Sequence, residues 1–368
     1  MVSLLVVTDP FGDSYSVQFE FIISLIGELK KTFSVSIFSP YLSEDKASKL
    51  KNLGIKVMQS NGKFWINGLL KVFGKRNESM MWLESWSKEA YFGRNTIQVQ
   101  DIGHFDKIIN ISMTVPVKCD LLLLQGRSVY YPLKDVGYSN RLVRTVLLFF
   151  GKSIKKRDMK LLELLTTNSK KILTNAKYLS IFYEELGFKI DGVVFTSKSF
   201  DDFKPTGNRK KDYVLTYIGK ETDFPPILEI ANRGIKVIGF GSKIPVGISF
   251  AKVEQAINFL GYVSSKELVD LYSGALFTAF PFTEEPFGYV PIESMACGTP
   301  VLSYSKQGPS ETIIDGKTGW LVSSDKDFVE KALEIWTKGS ALNSGDCIKR
   351  ALEFRPESVA HSMIELMH

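Results

Sequence analysis

Cysteine and histidine are scarce in this chain. Three cysteines, Cys119, Cys297 and Cys347, are widely spaced and odd in number. That argues against a disulfide framework and for a reducing compartment. With only His104, His361 and His368, no Cys/His cluster has the spacing of a zinc site. Long apolar runs are also missing: the longest candidates, 146–150 and 275–282, fall far short of the ~20 residues of a membrane span. The N-terminal MVSLLVVTDP has neither a basic region nor a small-residue cleavage site, so it is expected to be a first buried strand rather than a signal peptide. A cytoplasmic protein is the simplest expectation. Charge of one sign is lacking too. The balance of 46 basic and 40 acidic residues, net +6, is too even to argue for nucleic acid as a partner.

What is present suits two globular domains. A length of 368 residues exceeds one ordinary core, and 44% hydrophobic with 23% charged residues is a usual globular composition. The order strand, turn-rich loop, helix, strand over residues 3–39 opens a parallel Rossmann-type sheet. A second such series begins near Tyr213, after the polar run 206–212.

The most informative stretch is 284–322, EEPFGYVPIESMACGTPVLSYSKQGPSETIIDGKTGWLV. Glu285 and Glu293 are separated by seven residues, with Phe287-Gly288 just after the first. Pro291 is placed as the first residue of a helix, and Gly298 where that helix should end. Such a helix start offers unpaired N–H groups and the positive end of a dipole, which suits a phosphate. Gly288 lets a ligand approach the backbone closely. Glu293 is expected to lean back over the same helix end. Carboxylates repel a phosphate, so this pair is expected to hold hydroxyl groups. Anion-binding backbone plus hydroxyl-binding carboxylates describes a nucleotide-sugar site.

These residues resemble the E-x7-E signature of the retaining glycosyltransferases of family 4, which have the GT-B architecture. The pieces Gly308-Pro309-Ser310-Glu311 and Asp315-Gly316-Lys317-Thr318-Gly319 are similar to that family's downstream pattern. The resemblance implies an α/β fold of two Rossmann-like domains facing across a cleft, with the C-terminal helix crossing back to the N-domain. The expected boundaries are 1–195 for an acceptor-binding domain, 196–350 for a nucleotide-sugar-binding domain and 351–368 for the crossover helix. It further implies that Glu285 contacts the donor sugar, Glu293 the ribose, and the backbone of Phe287 and Gly288 the sugar and diphosphate. Tyr289, Val290, Gly219, Gly241 and Tyr262 complete the implied donor set. Lys220 follows Gly219 where relatives have Gly-Arg, and is the implied diphosphate cation.

The N-terminal half departs from the pattern. Relatives often carry a Gly-Gly pair in the first loop, whereas only Gly12 stands here. It is open between a phosphate-loop residue and a plain turn glycine. The strand 121–124 resembles one that often ends in a histidine, but the equivalent position is Gln125. An amide there can hydrogen-bond a sugar and cannot act as a general base. Arg127 is a neighbouring candidate for a phosphate. Two basic, apolar stretches, 63–76 and 141–177, are candidates for an anionic membrane surface. For each, an ordinary helix with solvated lysines is the competing explanation.

Asp325-Lys326-Asp327 is the sole Asp-x-Asp of the chain. It is expected to cap a helix rather than hold a metal. The function expected is therefore a metal-independent retaining transferase moving a hexose from a UDP- or GDP-linked donor to an acceptor hydroxyl, lipid-linked or glycan, with no cofactor. Two competitors are a non-catalytic nucleotide-sugar-binding protein and a nucleotide-sugar epimerase. Localisation is expected to be cytoplasmic, with peripheral attachment to the inner face of the membrane as a variant.

Overall fold

The computed structural model describes residues 1–13, 16–59, 78–94, 103–139, 141–207, 211–219, 221–241 and 248–367. The expected basic stretch 63–76 and Lys220 lie outside the described residues.

The chain divides into two units. The first comprises Met1–Asn175, Leu179–Ser197 and Val359–His368, and the second Ala176–Tyr178 and Lys198–Ser358. In the first unit β1 (Ser3–Val7), α1 (Val17–Leu29), β2 (Ser34–Ser39), α2 (Glu44–Asn52) and β3 (Lys56–Gln59) come first. Then follow α3 (Glu78–Phe92), β4 (Lys107–Asn110), β5 (Cys119–Leu124), α4 (Tyr130–Ser139), α5 (Arg141–Thr167), β6 (Ser169–Thr174), α6 (Lys177–Glu185) and β7 (Gly192–Val193). The seven strands form one sheet in the order β3-β2-β1-β4-β5-β6-β7, with every pairing parallel.

A parallel sheet is covered on both faces, so its inner strands bury apolar residues on both sides. β1 shows this directly. Leu4 and Val6 join the core formed with Phe19, Ile22 and Ile26 of α1, while Leu5 and Val7 pack on the opposite face with Phe38 and Val115. Helix α1 starts where the Ser16 side chain accepts a hydrogen bond from the Phe19 N–H. Ser43 stands at the N-cap of α2, but its hydroxyl makes no capping bond.

The second unit contains β8 (Val214–Tyr217), α7 (Phe224–Asn232), β9 (Val237–Phe240), α8 (Phe250–Ala256), β10 (Asn258–Phe259), α9 (Ser265–Gly274) and β11 (Thr278–Phe280). It continues with α10 (Tyr289–Ala296), β12 (Val301–Tyr304), α11 (Pro309–Thr312), β13 (Gly319–Val322), α12 (Asp325–Lys338) and α13 (Ser344–Leu352). Its six strands, β10-β9-β8-β11-β12-β13, are again all parallel. The capping box Ser264/Glu267, a spacing of Ser and Glu three residues apart that is visible in the sequence, opens α9. Strand β10 is short, and Gly261, two residues beyond it, takes a left-handed φ of 68°.

The last helix, α14 (Pro356–Met367), returns to the first unit. Val359, Ala360, Met363 and Met367 enter the same core as Leu4 and Phe19, and Lys107 Nζ bonds the Met367 carbonyl at 3.0 Å. Among the described residues no helix is long and apolar enough to cross a membrane. Met363 is fully buried, so Met363→Ala should lower the stability of the first unit by about 2 to 5 kcal/mol. Denaturant unfolding followed with a probe in each unit checks this. Loss confined to the second unit's transition would contradict the placement of the helix.

Candidate functional site

In the second unit β11 leads through residues 281–288 into α10, at the carboxyl end of a parallel sheet where such folds build sites. Gly288 is the N-cap of α10, with a left-handed φ of 94°. Helix α10 thus starts at Tyr289, two residues earlier than Pro291 suggested. Proline is tolerated at the third helical position because an N–H in the first turn has no intrahelical partner. At the other end, Gly298 takes φ 77° just past the Cys297 cap and turns the chain into β12.

The segment before α10 is held by Gln307, 22 residues beyond Glu285, and by Gly308. Glu285 N–H donates to Gln307 Oε1 at 2.6 Å, and Gly308 N–H donates to the Glu285 carbonyl at 3.1 Å. A Cβ on Gly308 would come within 2.4 Å of Phe287 Cα, so only glycine permits this approach. Phe287 is buried and packs edge-on against Phe354 at 5.7 Å and Tyr289 at 5.1 Å.

Glu285 turns back on the helix start. Its Oε1 accepts from the N–H groups of Phe287 at 3.1 Å and Gly288 at 3.0 Å. These are the two donors expected to meet a sugar and diphosphate, and here the carboxylate holds them. Burial pushes the Glu285 pKa up to about 7; the two N–H bonds oppose that rise, and the Glu221 and Glu284 carboxylates add to it. Nearby, burial and the Glu221, Glu285 and Glu293 carboxylates push the Tyr217 hydroxyl well above its usual value. Gly219 gives the Tyr217 ring room: a Cβ there would lie 2.3 Å from its Cε1. Tyr217 and Glu221 were not picked out in the sequence, because no local pattern marks them as neighbours of Glu285.

Glu293 is the fifth residue of α10, later in the helix than expected, and it is buried. Its Oε1 is paired with Lys198 Nζ and its Oε2 accepts from the Tyr272 hydroxyl at 3.1 Å. Lys198 also lies 4.6 Å over the Phe203 ring.

Of the remaining expected residues, Tyr289 and Val290 form the first turn of α10. Gly241 has φ 139°, and a Cβ there would come within 2.1 Å of the Ile218 carbonyl oxygen, so its place is fixed by packing. Its N–H donates to the Gly261 carbonyl at 2.8 Å. Tyr262 is 84% exposed. Asp325 and Asp327 lie in the first turn of α12, where Ser324 is the N-cap and both Ser323 and Ser324 donate to Asp327.

Gly12, Gln125 and Arg127 belong to the first unit, in loops at the carboxyl edge of its sheet. Gly12 is buried, Gln125 Nε2 reaches the Ile111 carbonyl at 3.5 Å, and Arg127 is half-buried. The sequence passed over Asp9 at the same edge. This buried carboxylate accepts from the hydroxyls of Ser112 and Thr114 and from the Met113 N–H, tying the loop after β1 to the loop after β4.

Residues 247–351 match the family model of the glycosyl transferases group 1. The matched residues lie within the second unit. Curated relatives align over part of the chain. A probable sucrose-phosphate synthase of Thermosipho melanesiensis is 41% identical over 99 residues, 26% of this chain and 23% of that protein. A D-inositol 3-phosphate glycosyltransferase of Gordonia bronchialis is 40% identical over 86 residues, 22% of this chain and 19% of that protein. The matched region thus spans about a quarter or less of each relative's length. Solved structures align over the whole chain. Alr3699/HepE of Anabaena in complex with UDP superposes with a TM-score of 0.66 at 13% identity, covering 99% of this chain and 98% of that one. Sucrose-phosphate synthase of Thermosynechococcus elongatus gives 0.62 at 15% identity, covering 99% and 98%. The fold shared with these structures is the GT-B fold of two parallel-sheet α/β units.

A carboxyl group with a raised pKa in the folded state keeps a proton that the unfolded chain has released. For Glu285 that window runs from the ordinary carboxylate range up to about 7. Stability should therefore fall as pH rises through this window, and Glu285→Gln should remove that part of the slope. Thermal melts across the window check this. Parallel profiles for the two chains would place the buried proton elsewhere.

Proposed function

We propose that this chain is a metal-independent, retaining glycosyltransferase. It transfers a hexose from a UDP- or GDP-linked donor to the hydroxyl of a lipid-linked acceptor. The observation that carries the proposal is the pairing of Glu285 with the Phe287 and Gly288 N–H groups at a glycine-capped helix start. A diphosphate is a stronger anion than one carboxylate, and the two N–H groups with the dipole of α10 suit it. When the diphosphate takes these donors, Glu285 is released to accept hydrogen bonds from the donor sugar. Its raised pKa makes the exchange easier, since a protonated carboxyl surrenders the N–H bonds at less cost. Phe287, Gly288, Tyr289 and Val290 then surround the diphosphate and sugar, with Gly219, Gly241 and Tyr262 toward the nucleotide. Lys220 is assigned to the departing diphosphate as a cation.

In this mechanism the negative charge that develops on the leaving phosphate is met by fixed dipoles, the usual source of such stabilisation. No protein nucleophile is assigned. The leaving phosphate itself helps to deprotonate the acceptor hydroxyl, which keeps the anomeric configuration. Glu293, paired with Lys198 and Tyr272, is held ready to meet the ribose. Gly12, Gln125 and Arg127 are assigned to the acceptor side. The UDP and UDP-glucose complexes of the Anabaena protein support a nucleotide-sugar partner. The basic, apolar helix α5 supports a lipid-linked acceptor and a peripheral place on the inner face of a membrane.

Replacing Glu285 with Ala should lower turnover by roughly a hundredfold or more. Nucleotide affinity, measured by calorimetry, should change far less. Equal losses of both would favour a protein that only binds nucleotide-sugars. NMR of the fresh product should show the donor's anomeric configuration, and an inverted product would contradict the retaining step.

A further inference from the structure

Helix α5 changes character at Gly151. Beyond it, Gly151, Ile154, Asp158, Leu161, Leu162 and Leu165 are buried at helical spacing, and Asp158 Oδ1 accepts from Trp86 Nε1 at 3.0 Å. Before it, large apolar side chains face solvent: Leu148 and Phe149 are 78% exposed and Phe150 62%. At 3.6 residues per turn, Val146, Phe149, Phe150 and Arg157 fall within about 100° of one another around the helix, bordering its buried face. Arg157 joins a second exposed group to that side. Its guanidinium lies 4.1 Å over the Tyr91 ring, and its Nη1 bonds the Ala90 carbonyl at 2.9 Å. Phe92, the last residue of α3, is 67% exposed, with Arg94 at 5.3 Å over its ring.

Charge identifies the occupant. From Arg141 to Arg157 there are six basic residues and no acidic one. A second copy of this chain would bring the same six positive charges to the contact, which opposes self-association through this side. Exposed Phe and Leu bounded by Lys and Arg suit an interface that is apolar a few ångströms below a layer of phosphates. We propose that the first half of α5, together with Tyr91 and Phe92, docks the protein on an anionic lipid bilayer. Phe149 and Phe150 enter the acyl boundary, and Lys152 and Lys156 meet headgroup phosphates. The inference rests on the reading of a lipid-linked acceptor and gives that acceptor's membrane a specific landing surface.

The test is co-sedimentation of the full chain with vesicles of phosphatidylcholine alone and of phosphatidylcholine mixed equally with phosphatidylglycerol. Binding is expected to the mixed vesicles only, and to weaken as salt is raised. The double variant Phe149→Ser/Phe150→Ser should lose roughly tenfold or more in vesicle affinity. Both side chains are exposed, so its melting temperature and nucleotide binding should match the parent chain. Two results would overturn the proposal: a parent chain that stays in the supernatant with both vesicles, or a variant that sediments as well as the parent. A dimer in sedimentation velocity that the variant converts to monomer would assign the surface to a second copy and overturn it as well. Vesicle binding without any nucleotide binding would uphold the docking surface while refuting the donor site, so the two failures are distinguishable.

Discussion

A helix start in a protein interior leaves N–H groups that must find an acceptor. In this chain the N–H groups of Phe287 and Gly288, leading into α10, find it in Glu285 Oε1. Much of the second unit is arranged around that pair of bonds. Gly288 takes a conformation that most side chains resist, Gly308 lies against Phe287 with no space for a methyl group, and Gln307 accepts the Glu285 N–H. An anion with greater charge than one carboxylate competes for the same donors, so a scaffold that satisfies itself this way is also prepared for a diphosphate.

The same economy governs Glu293. A buried carboxylate needs compensation, and it obtains an ammonium from Lys198 and a hydroxyl from Tyr272. Lys198 N–H in turn bonds the Phe354 carbonyl, and Phe354 packs on Phe287. Both glutamates of the motif are therefore anchored in the same aromatic and ionic surroundings, which fixes the segment between them.

Local signals carried most of what the sequence disclosed. The alternating strand and helix pattern announced two parallel sheets, and the GT-B resemblance anticipated the return of the last helix to the first unit. Gly298 ending α10 and the Ser264/Glu267 capping box were legible because each acts within a few residues. The start of α10 was misplaced by two residues, since the proline signal at Pro291 is weaker than the left-handed conformation of Gly288. The partners of Glu293 were not legible for a different reason. Its partner Lys198 lies 95 residues away and Tyr272 lies 21 away, so no spacing rule connects them. Gly308 was visible as part of a pattern, yet its purpose needed the close approach to Phe287. Tyr217, Glu221 and Asp9 were silent because their importance comes from burial and neighbours, which only the fold supplies.

The most direct measurement is calorimetric titration of the chain with UDP, GDP and ADP, each with and without EDTA. The account predicts that UDP or GDP binds, that EDTA leaves the affinity unchanged, and that ADP is the weaker ligand. Absence of binding by all three, or binding that EDTA abolishes, would contradict a diphosphate site built from the Phe287 and Gly288 backbone.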